Sequence, residues 1–166
     1  ADKFLMILAP FIIFTGALLT FIAVPLAENL VISDFNIGIF YIVAMSSVGV
    51  IGIILAGWSS NNKWSLYGSM RAAAQIISYE IPIGLSLLLV VLVVGSLHMG
   101  DIVQWQADHR WFIFHSPFSF IAFFIYYIST LAETNRIPFD IPEAESELVA
   151  GWMTEYSGFR WSIFFL

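Results

Sequence analysis

Six of the twelve acidic residues fall in one short stretch, residues 131–160: Glu133, Asp140, Glu143, Glu145, Glu147 and Glu155. Carboxylates at this density can carry protons, because crowding makes them repel one another and partial desolvation favours the neutral form. Pro138 and Pro142 punctuate the stretch, stiffening its backbone and keeping a helix from running through it. If residues 141–151 are helical, Glu143 and Glu147 share a face and repel, so protons, water, a partner protein or arginines such as Arg136 and Arg160 must compensate. A further carboxylate, Glu80, stands inside an apolar run just before Pro82 and about two turns beyond Arg71. An ionisable group at that depth is costly unless it faces protein or water, and is a candidate for function by default. The bland alternatives are a solvated loop for the cluster and a packing ion pair with Arg71 for Glu80. Three histidines, His98, His109 and His115, accompany Asp101 and Asp108, but no tight ligand spacing joins them and no metal site is expected.

The elements that must position these acids are membrane-like. Sixty per cent of the residues are hydrophobic, 11% are charged, and the mean hydropathy is +0.88, too apolar for a soluble chain of 166 residues to bury. The expected fold class is all-α, a polytopic transmembrane helical bundle in a single membrane domain. Runs at 4–27, 35–57, 72–97 and 111–132 are long enough to cross a bilayer, and a further span begins at 157–166. Pro10 and Pro25 are placed near the ends of the first run, where a missing donor costs least. Small residues around Gly49, Gly52 and Gly57 permit close helix contact. Trp58 and Trp64 suit the headgroup layer, in a connection read as 58–71, and residues 98–110 read as a second polar connection. The fourth span is crowded with aromatics on all sides, which argues packing. The start without methionine and the stop within an apolar run suggest a fragment of a longer subunit.

Counted by alternating sides, Lys3, Lys63, Arg71, Arg136 and Arg160 fall on one side and Arg110 on the other. The positive-inside rule then puts loops 58–71 and 133–156 together on the cytoplasmic or matrix side, within reach of Glu80. The net charge of −6 and the lack of basic patches leave nothing for nucleic acid to bind, and the absence of cysteine excludes thiolate ligation and disulfides.

The motif AETNRIPFDIPEAESELVAG with the following TEYSG resembles the quinone-site membrane subunit of respiratory complex I, the proton-pumping NADH:quinone oxidoreductase. GWSSNNKWSLYGSMRAAAQIISYEIP (57–82) and the opening ADKFLMILAP extend the resemblance over most of the chain. It implies a subunit that is not catalytic alone, shapes the chamber admitting ubiquinone or menaquinone, and couples quinone reduction to proton movement. The coupling acids would be Glu80, Glu133, Glu143, Glu145 and Glu147, with Trp58, Lys63, Arg71, Arg136 and Asp140 at the chamber and its loop. The chain would bind no cofactor itself. NADH, FMN and iron–sulfur clusters would belong to partner subunits, among them peripheral iron–sulfur and quinone-site proteins, beside other membrane subunits and the lipid bilayer. The implied location is the inner membrane of a bacterium or mitochondrion. Where family members often carry Tyr-His, this chain has Trp152 and Met153, which removes that histidine's contribution. The equivalent subunit of a membrane-bound hydrogenase and an ion transporter are the alternatives, the latter opposed by the lack of a visible inverted repeat.

Overall fold

The computed structural model describes residues 3–27, 29–134 and 156–164, with Trp161 described by its backbone. Among these the chain forms six α-helices: α1 Lys3–Thr20, α2 Gly38–Ser59, α3 Lys63–Val94, α4 Met99–Asp108, α5 Pro117–Glu133 and α6 Gly158–Ile163, with a 3₁₀ turn at Phe112–Phe114. The first three are long and apolar enough to cross a membrane, and α5 is a shorter apolar helix. Helix α1 packs on α2, α2 on α3, and α3 on α5.

Small residues set how closely these helices approach. The core consists of Ala9, Val50, Ile53, Ala56, Ala72, Ala73, Ile76 and Tyr156, half of them alanine. At Gly52 a Cβ would run into the Ile13 side chain and lie 3.1 Å from Ala9 O, so α1 and α2 meet almost backbone to backbone. Where lipid offers no hydrophobic drive between helices, such contact is what holds them.

The helix ends correct several sequence expectations. The connection expected over 58–71 shrinks to residues 60–62, because the Asn62 side chain accepts from Trp64 N (2.9 Å) and caps α3 at Lys63. The first helix stops at Thr20 instead of running to 27, since Pro25 disfavours helical geometry in the residue before it. Residues 98–110, read as a polar connection, contain α4, a helix with His98 as its cap. The fourth run starts its α-helix at Pro117, not 111, with Ser116 accepting from Ser119 N (3.1 Å).

Pro10 lies two turns inside α1, not near its end. It has no N–H to donate, so the carbonyl four residues back, Met6 O, is left over. The Tyr156 hydroxyl donates to that carbonyl at 2.9 Å. Tyr156 is 5% exposed and packs edge-on against Phe164 (4.8 Å between centroids), so the chain following the acidic stretch is fastened to the first helix. Similar links close the opposite end of the bundle. Tyr41 donates to Leu19 O (2.9 Å) in the last turn of α1, a carbonyl that also accepts from Ile22 N (3.3 Å), and Ile39 N donates to Leu97 O (3.2 Å).

His98 joins these connections. Its Nε2 pairs with Asp34 of the α1–α2 connection, and its Nδ1 accepts from Asp101 N (3.2 Å) in the neutral ring and, once protonated, can donate to Asp101 Oδ1 (3.3 Å). Partial desolvation works against the charged ring, but the hydrogen bonds and charges of Asp34 and Asp101 outweigh it and raise the His98 pKa. Asp101 is held low, first by the Ser96 hydroxyl (2.7 Å) and then by His98. A raised histidine contributes stability that is complete below its unfolded pKa and is lost as pH rises through the folded one. A depressed aspartate contributes above its unfolded pKa and loses that as pH falls. The link is therefore strongest in mildly acid solution. Thermal melts of the assembled protein across neutral pH should show stability falling as pH rises, with His98→Gln flattening that slope; an unchanged slope would show that His98 does not titrate as the link.

Candidate functional site

The site grows out of the contact between α3 and α5. Gln75, an uncharged polar residue on an apolar helix, donates from Nε2 to Ala132 O at 2.6 Å. That carbonyl belongs to the last turn of α5, beyond the regular helical ladder, where Thr134 N is shared between it and Thr130 O. The bond fixes the register of the two helices, with Gln75 level with the end of α5. Glu133, the final residue of α5, and Glu80, about 7.5 Å further along α3, are thereby brought near enough for their charges to act on one another. Tyr126, two turns back along α5, lies within electrostatic reach of Glu133.

Glu80 Oε1 is buried and, among the described residues, has no hydrogen-bond partner. A buried acceptor left unmade costs roughly 1–3 kcal/mol, more when charged. Both acids occupy half-buried positions. The helix interface thus holds two mutually repelling carboxyls and a phenol, groups that can each take or give up a proton, and no lysine or arginine of α5 is there to neutralise them.

Of the expected site residues, Glu80 and Glu133 come together as described, and Arg71 stands on the same helix about 13 Å from Glu80 along the axis. Trp58 and Lys63 are elsewhere. Trp58 is 66% exposed at the end of α2, and the Lys63 ammonium sits 5.1 Å from the Trp64 ring centroid. Seventeen residues of helix, about 25 Å, separate Lys63 from Glu80, so the two cannot act on one small molecule as direct neighbours. Arg136, Asp140, Glu143, Glu145 and Glu147 lie outside the described residues, as does Glu155. Sequence reasoning missed Gln75, Tyr126 and Tyr156. Gln75 had a usable signal, a lone amide within AAAQIIS, whereas Tyr126 was hidden among the aromatics of its run. Among the described residues no group of His, Asp and Glu is arranged to hold a metal ion.

A family model described as NADH dehydrogenase matches residues 1–166. The H subunit of the NADH-quinone oxidoreductase of Chlorobaculum tepidum is 50% identical over 170 residues, covering all of this chain and 47% of that protein. The corresponding H subunits of Anaeromyxobacter dehalogenans and Bacteroides fragilis are 51% and 54% identical over 168 residues, again with the whole chain covered and 41% and 46% of theirs. The chain spans about half the length of the curated relatives it matches.

Proposed function

The chain belongs to the NADH dehydrogenase family, and from that premise we propose that it serves as a membrane subunit of a proton-translocating NADH:quinone oxidoreductase, coupling quinone reduction to proton movement. The observation that carries the coupling role is the buried, unpartnered Oε1 of Glu80 beside Glu133. Two carboxyls in a water-poor interface cannot both be charged cheaply, so between them they hold a proton that leaves when charge nearby changes. Glu133 is the natural outer member, because it stands where α5 meets the acidic stretch, and Glu80 the inner one.

In this reading Glu143, Glu145 and Glu147, with Arg136 and Asp140, form the approach to that pair and the wall of a quinone chamber. Quinone supplies the electron acceptor and the developing negative charge; electrons arrive from iron–sulfur and flavin groups in peripheral partner subunits. Trp58 and Lys63 then belong to the surface at the α2–α3 turn, which faces such partners on the cytoplasmic or matrix side of the inner membrane.

The test uses the whole assembled complex. Glu143→Gln and Glu147→Gln keep size and hydrogen-bonding capacity but remove the titrating site. Both variants are expected to assemble, to keep NADH oxidation by an artificial acceptor, and to lose most quinone reduction or proton yield. Wild-type values for both quinone-linked measures in assembled variants would return these residues to a structural role.

A further inference from the structure

Gln75 and Ala132 meet where the seam between α3 and α5 is tight. Ala132 is fully buried, Gln75 is half-buried, and the amide donates to the carbonyl at 2.6 Å. Further along the same two helices, Ser86, Leu87 and Val90 of α3 and Ser119, Ala122 and Phe123 of α5 border an open groove of about 420 Å³, so interlocking side chains hold the register less firmly there. The last turn of α5 is therefore held to its neighbour from the Gln75 side. Within the helix itself Thr134 closes the turn: its N–H is shared between Thr130 O and Ala132 O, and its hydroxyl donates to Thr130 O (2.9 Å), with Leu131 O at 3.3 Å.

Glu133 is carried on this same turn, where a negative charge is poorly placed. The C-terminus of a helix is the negative end of its dipole, and no lysine or arginine stands in the last turn of α5 to offset a carboxylate. Glu80 adds a second acid within electrostatic reach. Once Glu133 gives up a proton, both effects push it off the bundle, toward water that is one residue away at exposed Thr134. The bond from Gln75 opposes that movement, because the last turn of α5 cannot leave α3 while the bond is made.

On the coupling role given above to these two acids, we propose that Gln75 is a positioning residue for them, bracing the last turn of α5 so that Glu133 keeps its place beside Glu80 with and without its proton. The residue type suits the task. An amide donates at every pH and carries no charge, whereas a lysine or arginine would make the same bond while holding Glu133 ionised. Among the described residues, the other titratable side chains on these turns are Tyr126 and Tyr127 of α5 and Arg71 and Tyr79 of α3, and the variants below leave all four in place.

The experiment uses the assembled complex in lipid nanodiscs and Gln75→Met, which keeps the length and flexibility of the side chain but has no donor. The variant should assemble and oxidise NADH with an artificial acceptor, while quinone-linked turnover falls roughly ten- to a hundredfold, the scale of loss when a reacting group is misplaced by about 1 Å. The alkaline limb of its turnover profile should move to lower pH, because a Glu133 released into water is no longer crowded by Glu80. Amide exchange at residues 130–134, corrected for its intrinsic pH dependence, should be slow in the unmodified complex and should speed up in the variant most where Glu133 is charged. A purely structural bond would leave the profile where it stands and speed exchange equally at every pH, and either result would overturn the proposal. Gln75→His, which carries a neutral Nε2–H about as far from the backbone as the amide, should keep a protected last turn and most of the turnover above the ordinary histidine pKa; a loss as deep as in Gln75→Met would overturn the proposal too. A Gln75→Met chain that cannot assemble would make the bond a folding contact and end the positioning role as well. Failure of the coupling role looks different: Glu80→Gln and Glu133→Gln would then keep their turnover, whereas if only the brace is wrong those two lose it and Gln75→Met does not.

Discussion

Glu80→Gln and Glu133→Gln, introduced separately into the assembled complex, are each expected to lower quinone-linked turnover by on the order of a hundredfold, the lower end of what a positioned proton-transferring group contributes. Assembly should be preserved, since glutamine offers the same shape and can both donate and accept. Glutamine at 80 even relieves the repulsion with Glu133 and the burial of an unpartnered carboxylate oxygen, so the variant should melt no lower than the parent. Loss of turnover without loss of stability separates a proton-handling role from a packing one. The double replacement is the sharper measurement. If the two acids share a proton, removing the second after the first costs little more, and the effects fall well short of additive. Full additivity would mean that they act in separate steps, and retained turnover in either single variant would remove that residue from the path.

The second large effect is steric. Gly57→Ala should destabilise the bundle by about 1–3 kcal/mol or more, the usual range for overpacking a closely fitted core. An added Cβ would run into Ser69 Oγ and Cβ and lie 2.9 Å from Ser65 O. Ser65 and Ser69 are fully buried, and the opposing atoms include backbone and a Cβ, which cannot swing aside as the tip of a long side chain can. Helices α2 and α3 must therefore separate next to their connecting turn. A thermal melt of the assembled protein, or the yield of complex from membranes, checks this. Ser69→Gly in the same chain should recover part of the loss, because it removes two of the three obstructing atoms. Normal melting of Gly57→Ala alone would mean that the two helices are not held so closely.

How much of this could be read beforehand depends on what each residue announces about its surroundings. Hydrophobic runs revealed the helices that cross the membrane, because length and apolarity are local properties. Glu80 stood out for the same reason, being a charge inside an apolar run, and Glu133 as the first acid of the acidic stretch. Their proximity required the register of α3 against α5, and that rests on one amide–carbonyl contact, Gln75 to Ala132, between residues 57 apart. The helical start at Lys63 was obscured by the polar residues Asn61, Asn62 and Lys63, which resemble a loop until Asn62 is recognised as a cap. Helix α4 was hidden because a short amphipathic segment between two histidines has the composition of a polar connection. Pro10 misled because a proline within a helix is expensive unless something distant uses the carbonyl it frees, and Tyr156 gives no local sign that it does.

That last contact bears on the order in which the protein becomes whole. Met6 and Tyr156 are separated by 150 residues, so their hydrogen bond closes a ring containing nearly the entire chain. Closing so long a ring carries an entropy cost that local helix contacts do not, and a chain made from its N-terminus presents Met6 long before Tyr156 exists. Through that interval α1 carries a gap in its hydrogen-bond ladder at Pro10, a place where its N-terminal turns can open at less than the cost of unfolding the whole. Tyr156 seals it only when the chain has been made through residue 156 and that side chain has reached the first helix. The Pro10 gap therefore acts as a clasp that fastens last, and a chain halted before residue 156 keeps a first helix that can still come undone.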